Sequence, residues 1–277
     1  MTTTRGYGER RITAFMEDPD NMDISNVIHA NQGAREYGYR AALVGGVIVY
    51  GWTVPAILQA VGHEWLGNGW VDVSFRRPTY PGDEMIARVS EAGNGKFELA
   101  MTNQDGEVCL SGELGLGRAP WLDDLKLPSR RTAEPRPDSI PQLTLDVAPV
   151  AQDLRPMAVS ISKEDARAFA IEREREEDPV FTAESPLIHP GWIVGRMTPL
   201  IHHSYTYGPA IHARSHIQNL ARAEAEQTVT VAGHFREAFE RKGHHYGVID
   251  GLILAEDGRE LARLRHTTIF QVARRDG

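Results

Sequence analysis

Two stretches of the chain are largely apolar over helical length, and each opens on glycine and carries a proline near its middle. The first is Gly46-Val-Ile-Val-Tyr-Gly-Trp-Thr-Val-Pro55-Ala-Ile-Leu58. The second, about 145 residues later, is Gly191-Trp-Ile-Val-Gly-Arg-Met-Thr-Pro199-Leu-Ile201. After each stretch the hydrophobic period shortens to two, the mark of half-buried strands. Trp70-Val-Asp-Val-Ser-Phe75 alternates, and Pro78-Thr-Tyr-Pro-Gly82-Asp83 breaks it as a turn. Met85–Val89 and Phe97–Met101 resume the pattern, and Asp105-Gly106 is a hairpin signal ahead of Glu107–Gly112. The later copy repeats this with Ala210–Ser215, Gln227–Ala232, Tyr246–Ile249, Leu252–Leu254, the turn Asp257-Gly258, Glu260–Arg265 and Thr267–Val272. Each half therefore predicts one long helix followed by an antiparallel meander.

Residues 118–156 have a different texture, with prolines at 120, 128, 135, 137, 141, 149 and 156. Each proline removes a backbone donor and turns its predecessor away from helix, so the segment reads as an extended connector. The chain divides accordingly into a first domain over 1–118, a linker over 119–156 and a second domain over 157–277. Ser162-Lys-Glu-Asp165 opens a helix with a capping-box pattern. The acidic and basic run Glu172–Asp178 reads as an exposed helix end.

Composition narrows the partners. The 277 residues are 41% hydrophobic and 25% charged, ordinary for a globular chain with material for two modest cores. A net charge of −8 argues against nucleic acid and anionic membrane, which bind clustered Lys and Arg. The single cysteine, Cys109, excludes an intrachain disulfide. No run approaches the ~20 apolar residues of a membrane span, and no apolar segment follows the first charges as in a signal peptide. A cytoplasmic location is the expectation. Nine of the eleven histidines follow residue 188, including His202-His203 and His244-His245. Helical neighbours point about 100° apart, so such pairs do not chelate one ion, and no metal site is expected.

Several short motifs together resemble a known family. They are Asn26-Val-Ile-His29, Ala34, Gly38, Leu43-Val-Gly-Gly46, Phe75-Arg-Arg-Pro78 and Tyr80-Pro-Gly-Asp83 in the first half. In the second half they are Asp178-Pro-Val-Phe181, His189-Pro-Gly191 and Glu240-Arg-Lys-Gly243. The chain thereby resembles the MaoC-like enoyl thioester hydratases and dehydratases, which are double-hotdog proteins. The resemblance implies an α+β fold in which two antiparallel sheets each wrap round a long central helix. It also implies a hydro-lyase acting on an enoyl or 3-hydroxyacyl thioester of coenzyme A or acyl carrier protein, with no further cofactor. Because a tandem chain pairs its own halves, a monomer or a dimer of tandems is expected.

Within that resemblance, His29 matches the family's histidine, and Gly45 and Gly46 match the turn whose amides face the thioester oxygen. Asn26 falls in register three residues before His29. The family's aspartate, five residues before the histidine, is replaced here by Ile24, and Asp23 is the nearest acid. In the second half Phe181 stands at the histidine position, so one site is expected, in the first half. Arg76 and Arg77 are candidates for coenzyme A phosphates, and Tyr37, Tyr50 and Trp52 for the acyl pocket, with solvated sheet and core filling as their respective alternatives. Two other functions stay open. Hotdog thioesterases carry an acid on or near the central helix, which neither 47–61 nor 192–204 contains. A noncatalytic acyl-binding protein with a decayed dyad is the other.

Overall fold

Strand pairing follows the alternating segments of the sequence. The structure, a computed structural model, describes residues 6–18, 20 and 26–273. The first half contains β1 (Tyr7–Thr13), α1 (Asn31–Glu36), α2 (Gly46–Gly51), α3 (Val54–Val61), α4 (Trp65–Asn68) and β2 (Gly69–Phe75). It ends with β3 (Glu84–Gly93), β4 (Lys96–Thr102) and β5 (Val108–Leu116). Beyond the connector come β6 (Gln152–Asp153), β7 (Met157–Ile161), α5 (Lys163–Ala168), α6 (Pro179–Thr182), α7 (Pro190–Val194) and α8 (Met197–His202). The meander β8 (Ile211–Asn219), β9 (Gln227–Arg241), β10 (His244–Leu254) and β11 (Glu260–Gln271) completes the chain.

The strands form one sheet in the order β1-β3-β4-β5-β2-β8-β11-β10-β9, with β6 and β7 both added to β9. Every named pair is antiparallel. The two halves repeat one plan, β1-β3-β4-β5-β2 against β7-β9-β10-β11-β8, and meet at β2–β8, where Val71 lies opposite Ile217 and Val73 opposite Ser215. This seam closes an edge that would otherwise be open on each half. Across it the Arg214 guanidinium donates to Asp72 at 2.9 Å. One hydrophobic core runs through both halves, including Trp52, Trp65 and Val71 from the first and Phe181, Ile217 and Leu264 from the second. No helix among the described residues is long and apolar enough to cross a membrane.

The central helix of each half is segmented, which corrects the single long helix expected above. α2 stops at Gly51 and α3 begins at Val54, with Pro55 in its first turn; α7 stops at Val194 and α8 begins at Met197, with Pro199 in its first turn. A proline fits a first turn, where amides lack intrahelical partners, and disrupts a helix interior. α2 and α7 pack together, and glycine allows their close approach: a Cβ on Gly191 would lie 3.4 Å from the Gly51 Cα.

The acidic run Glu172–Asp178 is a second correction. Ser162 does cap α5 through a complete capping box, but the helix passes into a π-helical turn at Phe169–Arg173. That wider turn changes the side-chain phase and sends the following chain inward. Glu174 and Glu176 are consequently 1% and 5% exposed. The proline-rich connector is largely extended, with one short helical turn at Leu122–Asp124, and it packs on both halves, first beside Trp70 and then along the second half. Leu122, Leu125, Leu143 and Leu154 are buried, and the Lys126 amide donates to Asp250 at 2.7 Å.

Strand β1 lay outside the sequence-based meander, and it is held by the tightest glycine contact in the sheet. A Cβ on Gly8 would fall 1.9 Å from the Ala56 carbonyl oxygen of α3. Gly8→Ala must push a backbone carbonyl aside, so an unfolding free energy lower by about 3 kcal/mol or more is expected from denaturant titration. Wild-type stability in that variant would mean that β1 does not pack on α3.

Candidate active site

A cavity of about 840 Å³ opens where the two halves meet. Its wall includes His29, Gly46 and Phe75 from the first half and Arg196, His212 and Thr268 from the second. His29 ends a 3-10 turn, Val27–His29, and its Nδ1 lies 2.7 Å from the Leu43 carbonyl oxygen. A carbonyl only accepts, so Nδ1 carries the ring proton and Nε2 keeps a lone pair. Burial pushes the His29 pKa below its ordinary value, and the Leu43 carbonyl offsets part of that effect. The ring is therefore a neutral base at pH 7.

Gly45 and Gly46 begin α2 beside this ring. A Cβ on Gly45 would approach His29 Cε1 to 3.9 Å, and one on Gly46 would meet the Phe75 ring at 3.2 Å and His212 Cβ at 3.0 Å. Glycine at 46 thus keeps bare backbone where the cavity wall brings Phe75 and His212 together. The first intrahelical bonds run from the Ile48 and Val49 amides to the Gly45 carbonyl, so the Gly46 and Val47 amides stand ahead of the helical ladder.

The other residues singled out from sequence separate into three groups. Asn26 lines the cavity, but both ends of its amide bind Ala210: Nδ2 donates to the carbonyl at 2.8 Å and Oδ1 accepts from the amide at 3.1 Å. It clamps the His29 turn to the second half. Arg76 and Arg77 also line the cavity and are drawn to its outer rim, Arg76 donating to Ser111 at 2.9 Å and Arg77 pairing with Glu107 at 3.2 Å. Tyr37 packs behind the turn against the cluster of Ile28, Ala34 and Leu43, outside the cavity wall. Tyr50 and Trp52 are fully buried in the core and do not line the cavity, which corrects their assignment to the acyl pocket. The cavity reaches only the first turn of α2, Gly46–Val49, and Tyr50 and Trp52 lie beyond it, where the chain enters the core. Asp23 lies outside the described residues.

Several cavity residues were not found from sequence, His212 and Arg196 among them. His212, at the start of β8, stacks 4.5 Å from Phe75 and 4.4 Å from His266 and shares a hydrogen bond of 2.7 Å with Ser215 through Nε2. Burial, and then the neighbouring His266, drive its pKa well below the ordinary value. Arg196 sits in the break between α7 and α8, with its guanidinium 4.1 Å over the Trp192 ring. Neither carries a local motif, because strand and helix register decide which way they point.

No protein-family model and no curated protein matches the sequence. Solved structures do. A MaoC domain protein described as a dehydratase, from Chloroflexus aurantiacus, superposes with a TM-score of 0.64 at 14% identity, over 99% of this chain and 96% of that one. A MaoC-like dehydratase gives 0.60 at 12% identity, over 97% and 98%. The Mycobacterium tuberculosis protein RV0216, a double hotdog, gives 0.59 at 12% identity, over 85% and 84%. The fold is a double hotdog. It is the fold of solved MaoC-like dehydratases, as the sequence resemblance implied.

In this double hotdog the second half holds a polar cluster where the first has its cavity turn. Asp178 stands at the start of α6 as Asn26 stands at the start of the His29 turn, although only Asp178 caps with its side chain, and Phe181 stands three residues on, as His29 does from Asn26. Asp178 also reaches across to the first half, 2.7 Å from His63 Nε2, mirroring the Asn26–Ala210 clamp. Five residues before Phe181 lies Glu176, whose carboxylate accepts from the Glu177 and Asp178 amides and lies 3.9 Å from His189 Nε2. Counting back five positions from Phe181 was the sequence signal for it. Beside it, both Glu174 oxygens are buried without a hydrogen-bond partner among the described residues, as is the Tyr50 hydroxyl. Burial, reinforced by Glu176, raises the Glu174 pKa well above the ordinary range, so the carboxyl is protonated. Among the described residues no cluster of three or more His, Cys, Asp or Glu side chains is arranged to hold a metal ion.

Proposed function

We propose that the protein is a hydro-lyase acting on an enoyl or 3-hydroxyacyl thioester, in the manner of the MaoC-like dehydratases whose fold it shares. The observation that carries this reading is His29, a neutral imidazole whose Nδ1 is tethered to Leu43 and whose Nε2 is left as a base in the cavity wall. In the hydration direction Nε2 takes a proton from water as the water oxygen bonds to the β carbon. The π electrons move toward the thioester, and negative charge builds on its oxygen against the backbone at Gly46. The proton held by His29 then passes to the α carbon, so water adds across the double bond and the ring returns to its neutral form. In dehydration the same steps run in reverse.

The thioesterase alternative needs an acid at the central helix in reach of substrate. Glu174 does lie against α2, but it is buried and outside the cavity wall, so it supports the fold's interior rather than hydrolysis. Incubation with crotonyl-coenzyme A separates the readings. Loss of enoyl absorbance without release of thiol is expected. Thiol release would overturn the hydro-lyase in favour of a thioesterase, and binding without either change would leave an acyl-binding protein.

A further inference from the structure

Four arginines line the cavity, Arg76, Arg77, Arg173 and Arg196. Three are satisfied at its rim: Arg76 by Ser111, Arg77 by Glu107, and Arg173 by Glu17 at 3.3 Å. Arg196 differs. Its Nε donates to the Trp192 carbonyl at 3.0 Å, its guanidinium lies over the Trp192 ring, and it forms no ion pair among the described residues. It is partly buried, beside Pro199 and Thr198 of α8, and burial alone lowers its pKa to about 10. At neutral pH the side chain therefore remains a cation.

The forked terminal nitrogens of Arg196 make no hydrogen bond among the described residues and stand in a half-apolar cavity wall, where an anion can meet them. Planar N–H pairs match a carboxylate or a phosphate in two parallel bonds. The helix break supplies the position. Arg196 projects from the second half's central helix, whereas the proposed base His29 and the Gly46 backbone belong to the first half.

We infer that Arg196 binds an anionic group of the ligand, and that this group is a carboxylate at the far end of the acyl chain. The protein would thus prefer thioesters of dicarboxylic acids to those of simple fatty acids. The inference rests on the thioester reading above. The acyl end is favoured over a carrier phosphate because Arg196 is partly buried in the cavity wall, whereas Arg76 and Arg77 are exposed at its rim.

Binding of unreactive saturated thioesters tests this without relying on turnover. The probes are succinyl, glutaryl and adipyl thioesters against butyryl, pentanoyl and hexanoyl ones, each on coenzyme A and on N-acetylcysteamine, titrated by calorimetry. The carboxylated member of at least one length-matched pair is expected to bind about ten- to a hundredfold more tightly on both carriers, the scale of a charged hydrogen-bonded pair. In Arg196→Leu that ratio should fall to within about twofold of one, and Arg196→Lys should retain part of it. Equal binding of both series by the wild type overturns the acyl-carboxylate assignment and leaves the thioester reading intact. If Arg196→Leu weakens all coenzyme A probes alike and no N-acetylcysteamine probe, the anion is a carrier phosphate and the assignment is wrong. Failure of every thioester to bind rejects the thioester reading itself.

Discussion

His29→Ala is expected to lower turnover of an enoyl thioester by about a hundredfold or more, the scale of a lost acid–base group. Among the described residues the ring's one hydrogen bond is to the Leu43 carbonyl, and the ring lines the cavity, so the cost to stability should be about 1 kcal/mol. His29→Gln should be as inactive as the alanine variant, since an amide cannot take a proton at neutral pH. The pH dependence follows from burial. Because the His29 pKa lies below its ordinary value of 6.5, the base form persists as pH falls through that value, and the acid limb of the rate profile should lie below it. Steady-state kinetics with crotonyl-coenzyme A check both points. A loss smaller than about fivefold in His29→Ala would remove it from the chemistry.

The second large effect concerns Glu174 and is read in stability. Its folded-state pKa is raised, so the native protein keeps a proton that the unfolded chain releases above its ordinary value of 4.5. The contribution to stability is therefore fully present below that value and is lost as pH rises toward the folded-state pKa. The loss runs at about 1.4 kcal/mol per pH unit until the carboxyl ionises within the fold. Glu174→Gln keeps the shape and cannot ionise, so it removes this slope. The variant's advantage over wild type should therefore be larger at pH 7 than at pH 5. Histidines held neutral by burial, among them His189, His212 and His266, act with the opposite sign and are common to both proteins. Equal differences in unfolding free energy at both pH values would show that Glu174 titrates as an exposed carboxyl does.

Why a protein would keep an unpaired carboxyl between two helices is visible in the glycines around it. A Cβ on Gly51 would lie 2.1 Å from Glu174 Oε2, and one on Gly191 would lie 2.9 Å from Oε1. Both helix faces are cut back where the carboxyl enters. The glycines at 51 and 191 make the space in which α2, α7 and Glu174 meet.

How much of this was legible in the sequence depends on the range of the interaction concerned. The meanders were legible because a strand's side chains alternate faces, and the turns at Asp105-Gly106 and Asp257-Gly258 because glycine there takes a positive φ, +75° and +84°. The internal repeat was legible for the same local reason. His29 and Gly45-Gly46 were found because they lie within one short span and match a family pattern. Tyr50 and Trp52 were misassigned because spacing along a helix says which residues share a face, but not how far along the helix a cavity reaches. Glu174 and Glu176 were missed because a charge-rich run normally stays in water, and only the π-helical turn at Phe169–Arg173 carries it inside.

The sequence by itself determined the duplicated plan of apolar helical stretch and antiparallel meander and the extended character of the connector, since each depends on periodicity or on backbone preferences within a few residues. Only the tertiary structure decided that the two meanders share one sheet through β2 and β8, and that Asn26 is spent on Ala210. It also decided that His212 and Arg196 complete a cavity begun by residues more than a hundred positions earlier. Those contacts join distant segments whose approach is set by sheet register and helix packing, and neither quantity is written in any local stretch of the chain.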